Sequence, residues 1–459
     1  MALQGKRIFI LQNRDTMADH KVPTTEAEFD ENFAQKKPLM NDTEAFVESS
    51  RCLFCYDAPC MNACPTYIDI PLFIKQIHTG NILGAAKTIY EANWLGNACG
   101  KVCPTSELCE GACVFNHQHI RPIDIGRLQN FATDKAIRYG ADLFSPGQEH
   151  GGKVAVIGAG PAGIACAAEL RSLGYTVDVY EAKDKPTGLA LHGTAPYKIT
   201  NEEVLDEINF LQRQMGFRVL LNAGVHTAAQ LEDLERRYDA IFLGVGIGPT
   251  ADLYIDGEEK QGVVGAVEFI ETLRMKKHEV KVPARVIVLG GGNTAMDAAS
   301  ESARMGAEEV TIAYRRSRSE MGAYEFEYKF ARGSGVVGLF NAAPVAILGD
   351  GVVTGVKFVR TGMSNGKLTL LEGTEFVVDC DMVIKATGQA KQGDLFRLID
   401  GLKIDEGGRM IVSDIFQTTN PRYFAGGDAV NGGAEVVNAA YEGKMAARGI
   451  HRFLNAAGS

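Results

Sequence analysis

The tightest constraint on this chain is the stretch Gly152–Glu181, GKVAVIGAGPAGIACAAELRSLGYTVDVYE. Lys153 to Ile157 is a short, β-branched apolar run, the pattern of a strand buried on both faces of a parallel sheet. Gly158, Gly160 and Gly163 follow as G-x-G-x-x-G. Ile164 to Leu173 then reads as a helix and Thr176 to Tyr180 as the next strand. The first glycine permits the tight turn, the second lets backbone approach a pyrophosphate, and the third lets helix lie close on strand. The anion then sits at the positive end of the helix. Glu181 closes the second strand, where a carboxylate can accept from ribose hydroxyls. Glycines alone would be a weak signal; strand, helix, strand and terminal acid in register specify a dinucleotide-binding unit.

Arg285 to Arg316 repeats that unit. The strand RVIVL leads into Gly290-Gly291-Gly292-Asn293-Thr294-Ala295, a helix runs to Met305, and the strand VTIAY ends at Arg315-Arg316. Alanine in place of the third glycine is a common variant. The two copies differ at the strand end that meets the ribose. A carboxylate there repels a 2′-phosphate, whereas guanidinium groups bind one bidentately. The first copy therefore predicts an adenosine with a free 2′-hydroxyl, as in FAD, and the second predicts NADP(H). The alternative for the arginines is a solvated charged loop, and Arg318 nearby fits either reading.

Length and charge narrow the class. A chain of 459 residues has room for about three domains. Its net charge of −10 invites neither nucleic acid nor an anionic membrane as a partner. No apolar run approaches the roughly 18 residues of a membrane span. The N-terminus, with one short apolar patch before Asn13 and Arg14, does not have the make-up of a signal peptide. Eight of the ten cysteines fall between Cys52 and Cys113. In a long chain without an export signal, such density points to metal in a reducing cytoplasm, not to disulfides.

The first cysteine group is Cys52, Cys55, Cys60 and Cys64-Pro65; the second is Cys99, Cys103-Pro104, Cys109 and Cys113. Soft thiolates in such numbers select zinc or iron–sulfur clusters. The Cys-Pro endings resemble ferredoxin-type runs, and a one-electron carrier has a use beside a dinucleotide-binding domain. By count alone, eight cysteines would serve two clusters, Cys99 among them. His117 and His119 lack ligand spacing and read as surface residues, and Trp94 as a core residue. Thr43–Ser50, Ile70–His78, Ile82–Ala92 and Pro122–Arg138 carry helical patterns, so the N-terminal region is an α-helical domain, with a linker over 139–151.

Further along, Val204–Gln214 reads as a helix and Arg218–Leu221 as a strand. Ala240–Gly248 reads as a strand ending in a glycine loop. Val352–Arg360 and Leu368–Asp381 look like strands of a meander returning at Val383–Gly388. Tyr423–Asp428 is a strand ending in Gly426-Gly427-Asp428, and Ala434–Leu454 is a long helix. An Asp there can accept from a ribityl chain while the helix end faces a flavin ring; a structural turn Asp before a helix is the alternative. The fold class is α/β: an α-helical N-terminal domain (1–150), an FAD-binding domain (151–250 and 388–459) and an NAD(P)-binding domain (251–387), the last two nested and Rossmann-like.

Taken together, CLFCYDAPCMNACP, CGKVCPTSELCEGAC, PIDIGRLQNFATD, VIGAGPAG, GGGNTAMDAA and AGGDAV resemble the flavin/iron–sulfur module shared by dihydropyrimidine dehydrogenases and the small subunit of glutamate synthase. The likeness runs from about residue 43 to the end. It implies two [4Fe–4S] clusters with interleaved ligands: Cys52, Cys55, Cys60 and Cys113 for one, and Cys64, Cys103, Cys109 and Gln129 for the other, leaving Cys99 spare. It implies FAD contacts at Gly158, Ala159, Gly160, Pro161, Ala162, Gly163, Glu181, Leu189, Lys198, Val225, Gly427, Asp428, Ala434, Glu435 and Val436, and further cofactor contacts at Val102, Ala386 and Gly388. NAD(P)H would meet Gly292, Asn293, Thr294, Arg315 and Arg316. Thr187-Gly188-Leu189 and Lys198 stand where the family often has Gly-Gly-Leu and an arginine. Gly322 stands where some NADPH-using members have a basic residue, which keeps NADH open.

The implied activity is NAD(P)H oxidation feeding electrons through FAD and the clusters to an FMN/iron–sulfur partner subunit that reduces uracil or thymine. No side chain is expected to act chemically itself; Lys198 and Asp428 would lie near the flavin. The absence of C-x-x-C beyond the N-terminal domain argues against a thioredoxin-reductase-like disulfide mechanism. The small subunit of glutamate synthase is the alternative within the same module, and a zinc-stapled flavoprotein is the alternative outside it.

Overall fold

The computed structural model describes residues 6–7 and 20–457. Most of the N-terminal patch that argues against a leader lies outside the described residues. Contacts group the chain into two compact units: Met1–Ala34, His192–Tyr197 and Gly248–Ala390 in one, and Gln35–Leu191, Lys198–Ile247 and Lys391–Ser459 in the other. The cysteine-bearing helices and the first dinucleotide unit therefore share one body across the expected linker at 139–151. The reason is a common core: Tyr90, Trp94, Leu95 and Cys99 pack with Ile164, Ala168, Phe210 and Leu211.

In this larger unit, the helix Ile70–His78 buries Ile70, Phe73, Ile74 and Ile77, one face at helical spacing, and Asp69 caps it by accepting from Leu72 N at 3.1 Å. Ile82–Ala92 is also a helix, as its periodicity requires, and Gly96–Val102 adds a turn of helix that the pattern did not reveal. The helix expected from Pro122 begins instead at Ile125 and runs to Arg138; Asp124 stands at the N-cap position but gives its carboxylate to Arg121 at 2.8 Å, not to the helix backbone. The flavin-type sheet is all parallel, in the order Tyr423–Ala425, Ala240–Leu243, Lys153–Ile157, Thr176–Tyr180, Arg218–Leu220. The strand expected over 240–248 stops at Leu243. Gly244 follows, where a Cβ would stand 3.1 Å from the Gly163 backbone nitrogen, so the chain must leave the sheet to admit the glycine turn.

The helix Pro161–Ser172 packs both on this sheet and against the last helix, Val436–Ala457, which also touches the strands Tyr423–Ala425 and Ala240–Leu243. Two glycines allow that. A Cβ on Gly163 would meet the Gly158 carbonyl oxygen at 1.9 Å, and one on Gly443 would meet the Ala162 carbonyl oxygen at 2.0 Å. Trp94 is buried, as expected of a core residue, and its indole also donates to Glu169 on the same helix at 2.8 Å.

The smaller unit holds a second parallel sheet, Val263–Gly265, Met382–Lys385, Arg285–Leu289, Glu309–Tyr314, Val337–Phe340 in that order. Beside it, Ala342–Leu348, Gly355–Ser364 and Phe376–Asp379 pair antiparallel. The expected strand 368–381 is two strands, Lys367–Leu370 and Phe376–Asp379, divided at Gly373, whose φ of 77° turns the chain.

Gly443→Ala forces the two helices apart, and over-packing of this kind costs about 1–3 kcal/mol. We expect a lower Tm in a thermal melt. Gly333→Ala, at the end of the helix Glu325–Gly333 with no atom within 4 Å of the added Cβ, should hold or raise it.

Candidate functional site

The cysteines converge as two groups. Cys52 follows the helix Asp42–Ser50, and Cys60 sits on the short helix Pro59–Asn62. Burial, reinforced by Cys55 and Cys113 alongside, raises the Cys52 thiol; burial together with Cys52, Cys113 and Cys55 pushes Cys60 up to about 12. These four therefore face one another. In the second group, a hydrogen bond to Cys99 and burial raise Cys103 well above the usual thiol range. Burial, then Glu110, Cys103 and Cys64, does the same to Cys109. Cys64, Cys99, Cys103 and Cys109 line one cavity together with Gln129 and Val437.

Such crowded thiols resist ionisation until a cation joins them, which is the chemistry of a metal-binding set. Among the described residues, no three His, Cys, Asp or Glu side chains close on a single ion. Eight soft thiolates gathered in two groups are a donor set that fits iron–sulfur clusters. Gln129 is buried on the helix Ile125–Arg138; its amide nitrogen donates to the Gly96 carbonyl at 2.7 Å, which leaves its oxygen as the end available to the cavity. Cys99 lines the same cavity. His117 and His119 are exposed.

The flavin-type cradle is built by the turn Gly158–Gly163 with three further segments. Gly158 has φ 97°, and a Cβ there would meet the Gly244 carbonyl oxygen at 2.5 Å. Glu181 turns its carboxylate back onto the turn, accepting from Ala159 N at 2.8 Å and from Lys183 N at 2.9 Å. Each oxygen keeps lone pairs for a ribose. Thr187 N donates to the Ala159 carbonyl at 2.8 Å, which brings Leu189 to the cradle. Gly427 lies against Ala162, and its N–H donates to Glu442 at 2.6 Å. Asp428 accepts from Ala434 N at 3.3 Å, and burial holds its carboxyl above the usual range. Val225 is buried in the core beneath the sheet, so only its backbone is available to a ligand. Lys198 is half-buried just before the Thr200 cap of the helix Asn201–Met215.

The last helix begins at Val436, so Ala434 and Glu435 precede it, and Glu435 is close enough to Cys103 to raise its thiol. Val102 ends the helix that leads into Cys103, beside the second thiol group. Ala386 packs on the other glycine turn: a Cβ on Gly290 would meet its carbonyl oxygen at 2.3 Å, and Gly388 belongs to the same unit.

At that second turn, Gly292 has no atom within 4 Å of an added Cβ and stands open. Asn293, which begins the helix Asn293–Arg304, accepts from Tyr324 N at 3.0 Å and so ties down the loop 317–324. Thr294 is the next residue of that helix. Arg315 and Arg316 are exposed at the strand end, and neither is ion-paired among the described residues. Their backbone carbonyls accept from Thr361 Oγ1 at 2.7 Å and Asn341 N at 3.0 Å. Arg318 differs: it is ion-paired with Glu325 and lies 4.0 Å over the Tyr328 ring. Cys166 and Cys380 are both buried and unpaired. Sequence reasoning missed Glu442 and Gly443. The lone glycine inside a helical pattern was the one available sign for the second.

Residues 29–141 match the family described as dihydropyrimidine dehydrogenase domain II, 4Fe-4S cluster, and residues 152–443 match pyridine nucleotide-disulphide oxidoreductase. The chain is 36% identical to the NAD-dependent dihydropyrimidine dehydrogenase subunit PreT of Escherichia coli over 92% of its own length and 97% of that protein's. It is also 36% identical to the glutamate synthase [NADPH] small chain of Escherichia coli, over 90% and 92%. Among solved structures, Mycobacterium tuberculosis FprA in complex with NADPH superposes with a TM-score of 0.58 at 20% identity, over 67% of this chain and 86% of that one. The thioredoxin reductase of T. acidophilum gives 0.52 at 20%, over 66% and 98%. These two likenesses speak for the fold.

The second thiol group has two candidate fourth ligands, and variants separate them. We expect Gln129→Ala to lower the iron and sulfide content and alter the electron paramagnetic resonance of one cluster, with Cys99→Ser leaving both unchanged. The opposite pattern would make Cys99 the ligand.

Proposed function

The chain belongs to the pyridine nucleotide-disulphide oxidoreductase family, in the group that includes the dihydropyrimidine dehydrogenase subunit and the glutamate synthase small chain, and from that premise we propose that it is the electron-input subunit of a dihydropyrimidine dehydrogenase. It is an NAD(P)H-dependent FAD/iron–sulfur oxidoreductase module. The observation that carries the proposal is the cavity of the second thiol group. Val437, on the helix that follows the Asp428 turn, forms part of its wall, so the flavin cradle and the thiols share a boundary.

When bound, FAD accepts a hydride from the nicotinamide as an electron pair, and iron–sulfur clusters carry electrons singly. The protein's share is placement and electrostatics. The turn Gly158–Gly163 and its helix N-terminus hold the pyrophosphate; Glu181 holds the ribose; Asp428 accepts from the ribityl chain. Cys52, Cys55, Cys60 and Cys113 hold one [4Fe–4S] cluster, and Cys64, Cys103, Cys109 and Gln129 a second. Arg315 and Arg316 clamp a 2′-phosphate, which favours NADP(H) over NAD(H). A partner subunit, of the FMN/iron–sulfur type, reduces uracil or thymine with the electrons delivered.

A second reading rests on those same arginines. One similar protein is named for NAD and the other for NADPH. A phosphate clamp aligns this chain with the glutamate synthase small chain in its choice of nucleotide. Mixing the purified protein with each type of partner decides between them. Pyrimidine-dependent NAD(P)H oxidation supports the first reading, and oxidation that needs glutamine and 2-oxoglutarate supports the second.

Anaerobic purification should yield iron, acid-labile sulfide and one flavin per chain, with broad absorption that bleaches on reduction; a yellow, iron-free protein would overturn the assignment. Each hydrogen bond from a charged donor is worth about 1.5–3 kcal/mol. Arg315→Ala and Arg316→Ala should therefore each lower kcat/KM for NADPH roughly 10- to 100-fold and spare NADH. An unchanged ratio would dismiss the clamp.

A further inference from the structure

Glu207 is a carboxylate the proposed electron path does not use, and its placement is unusual. It lies on the helix Asn201–Met215, is 1% exposed, and forms no ion pair among the described residues. Carboxylates are almost never buried so completely without a counter-charge. Its oxygens accept from Asn97 N at 2.6 Å and Ala98 N at 2.9 Å, at the start of the short helix Gly96–Val102 that leads through Cys99 into Cys103.

The surroundings are those of a proton site. Glu207 lines a small cavity with Pro161 and Ile164 of the flavin-turn helix, Thr187 of the flavin loop, and Leu95 and Ala98 of the thiol-bearing segment. Thr187 is 3% exposed and its hydroxyl has no hydrogen-bond partner. Tyr90, fully buried, faces Glu207 with a hydroxyl close enough to favour the carboxylate. The orphaned Thr187 hydroxyl beside a buried carboxylate marks a place for a water and a mobile proton.

The titratable groups on the packed elements are few. Tyr90 comes from the helix Ile82–Ala92, with Asp134 and Cys99 felt behind its ring. Lys101 on the thiol-bearing helix is paired with Glu203, one turn before Glu207, at 2.8 Å. The lining residues of the flavin-turn helix and the flavin loop are not titratable.

We infer that Glu207 is a redox-linked proton site, taking up one proton when an electron arrives on the adjoining thiolate-held centre and releasing it when the electron leaves. One electron, supplied by NAD(P)H, and one proton, supplied by water, enter together, so no net charge is added to a buried region. Reoxidation returns both. Burial, opposed by the two backbone hydrogen bonds and by the Tyr90 hydroxyl, lifts the carboxyl to about 7, within reach of a neighbouring charge change. The inference rests on the proposed cluster binding by these thiols.

The test is a redox titration of the iron–sulfur signals between pH 6 and 9 on protein whose iron has been counted. In the wild type, the reduction equilibrium should be flat at the acid end, where Glu207 is protonated in both states. Above about pH 7 it should become less favourable, by at most tenfold per pH unit, or 59 mV for a one-electron couple. Glu207→Gln should be flat throughout. A flat wild type, or a slope kept by Glu207→Gln, overturns the inference with cluster binding intact; absence of iron overturns the cluster reading and the inference with it. If Glu207→Gln fails to assemble, Tyr90→Phe decides. It removes a hydroxyl that favours the carboxylate, so the break should move to higher pH, and an unmoved break counts against Glu207.

Discussion

Backbone meets backbone on both sides of the helix Pro161–Ser172, and the larger unit depends on that approach. Gly163 lets the helix sit on the glycine turn and Gly443 lets the last helix sit on it from the other side, each with no room for a methyl group. The turn that receives a pyrophosphate, the Gly427–Asp428 turn and the helix from Val436 are thereby held against one another. Glu169 on the same helix extends the arrangement. One oxygen accepts from Trp94 and the other from Arg448, each at 2.8 Å, so the thiol-bearing segment and the last helix are anchored to one side chain.

Polar groups, not apolar area alone, join the thiol-bearing helices to the flavin-type sheet. Asn97 is 2% exposed and its side-chain oxygen accepts from Asn130 at 2.7 Å and Thr133 at 2.9 Å. Its own N–H goes to Glu207. Lys444, buried on the last helix, donates to the carbonyls of Glu91 and Ala92. Buried polar groups are costly unless paired, and each pairing here accepts one geometry only. The result is a rigid seat for the second thiol group beside the flavin cradle, which suits electron transfer without large motion.

The two dinucleotide units show how one scaffold is given two tasks. Both have a strand, a glycine turn, a helix and a second parallel strand. In the first, Glu181 is buried and bound to the turn; in the second, Arg315 and Arg316 stand exposed. The acid is part of the cradle's own framework, whereas the arginines are held only through their backbone and leave their side chains to a ligand.

The strands Lys153–Ile157, Thr176–Tyr180 and Arg285–Leu289 and the helices Ile70–His78 and Ile82–Ala92 were legible residue for residue, because local periodicity and turn chemistry set their limits. The two glycine turns and the metal-binding character of the cysteines were legible for the same local reason: a turn needs glycine, and a soft cation needs thiolate. The sequence alone therefore determined the fold class and the kind of cofactors. Where Ala386 and Glu435 lie, and why Glu442, Gly443 and Glu207 matter, were decided only by tertiary structure. These depend on contacts between segments tens to hundreds of residues apart, and no local pattern records which distant backbone or charge a side chain will meet.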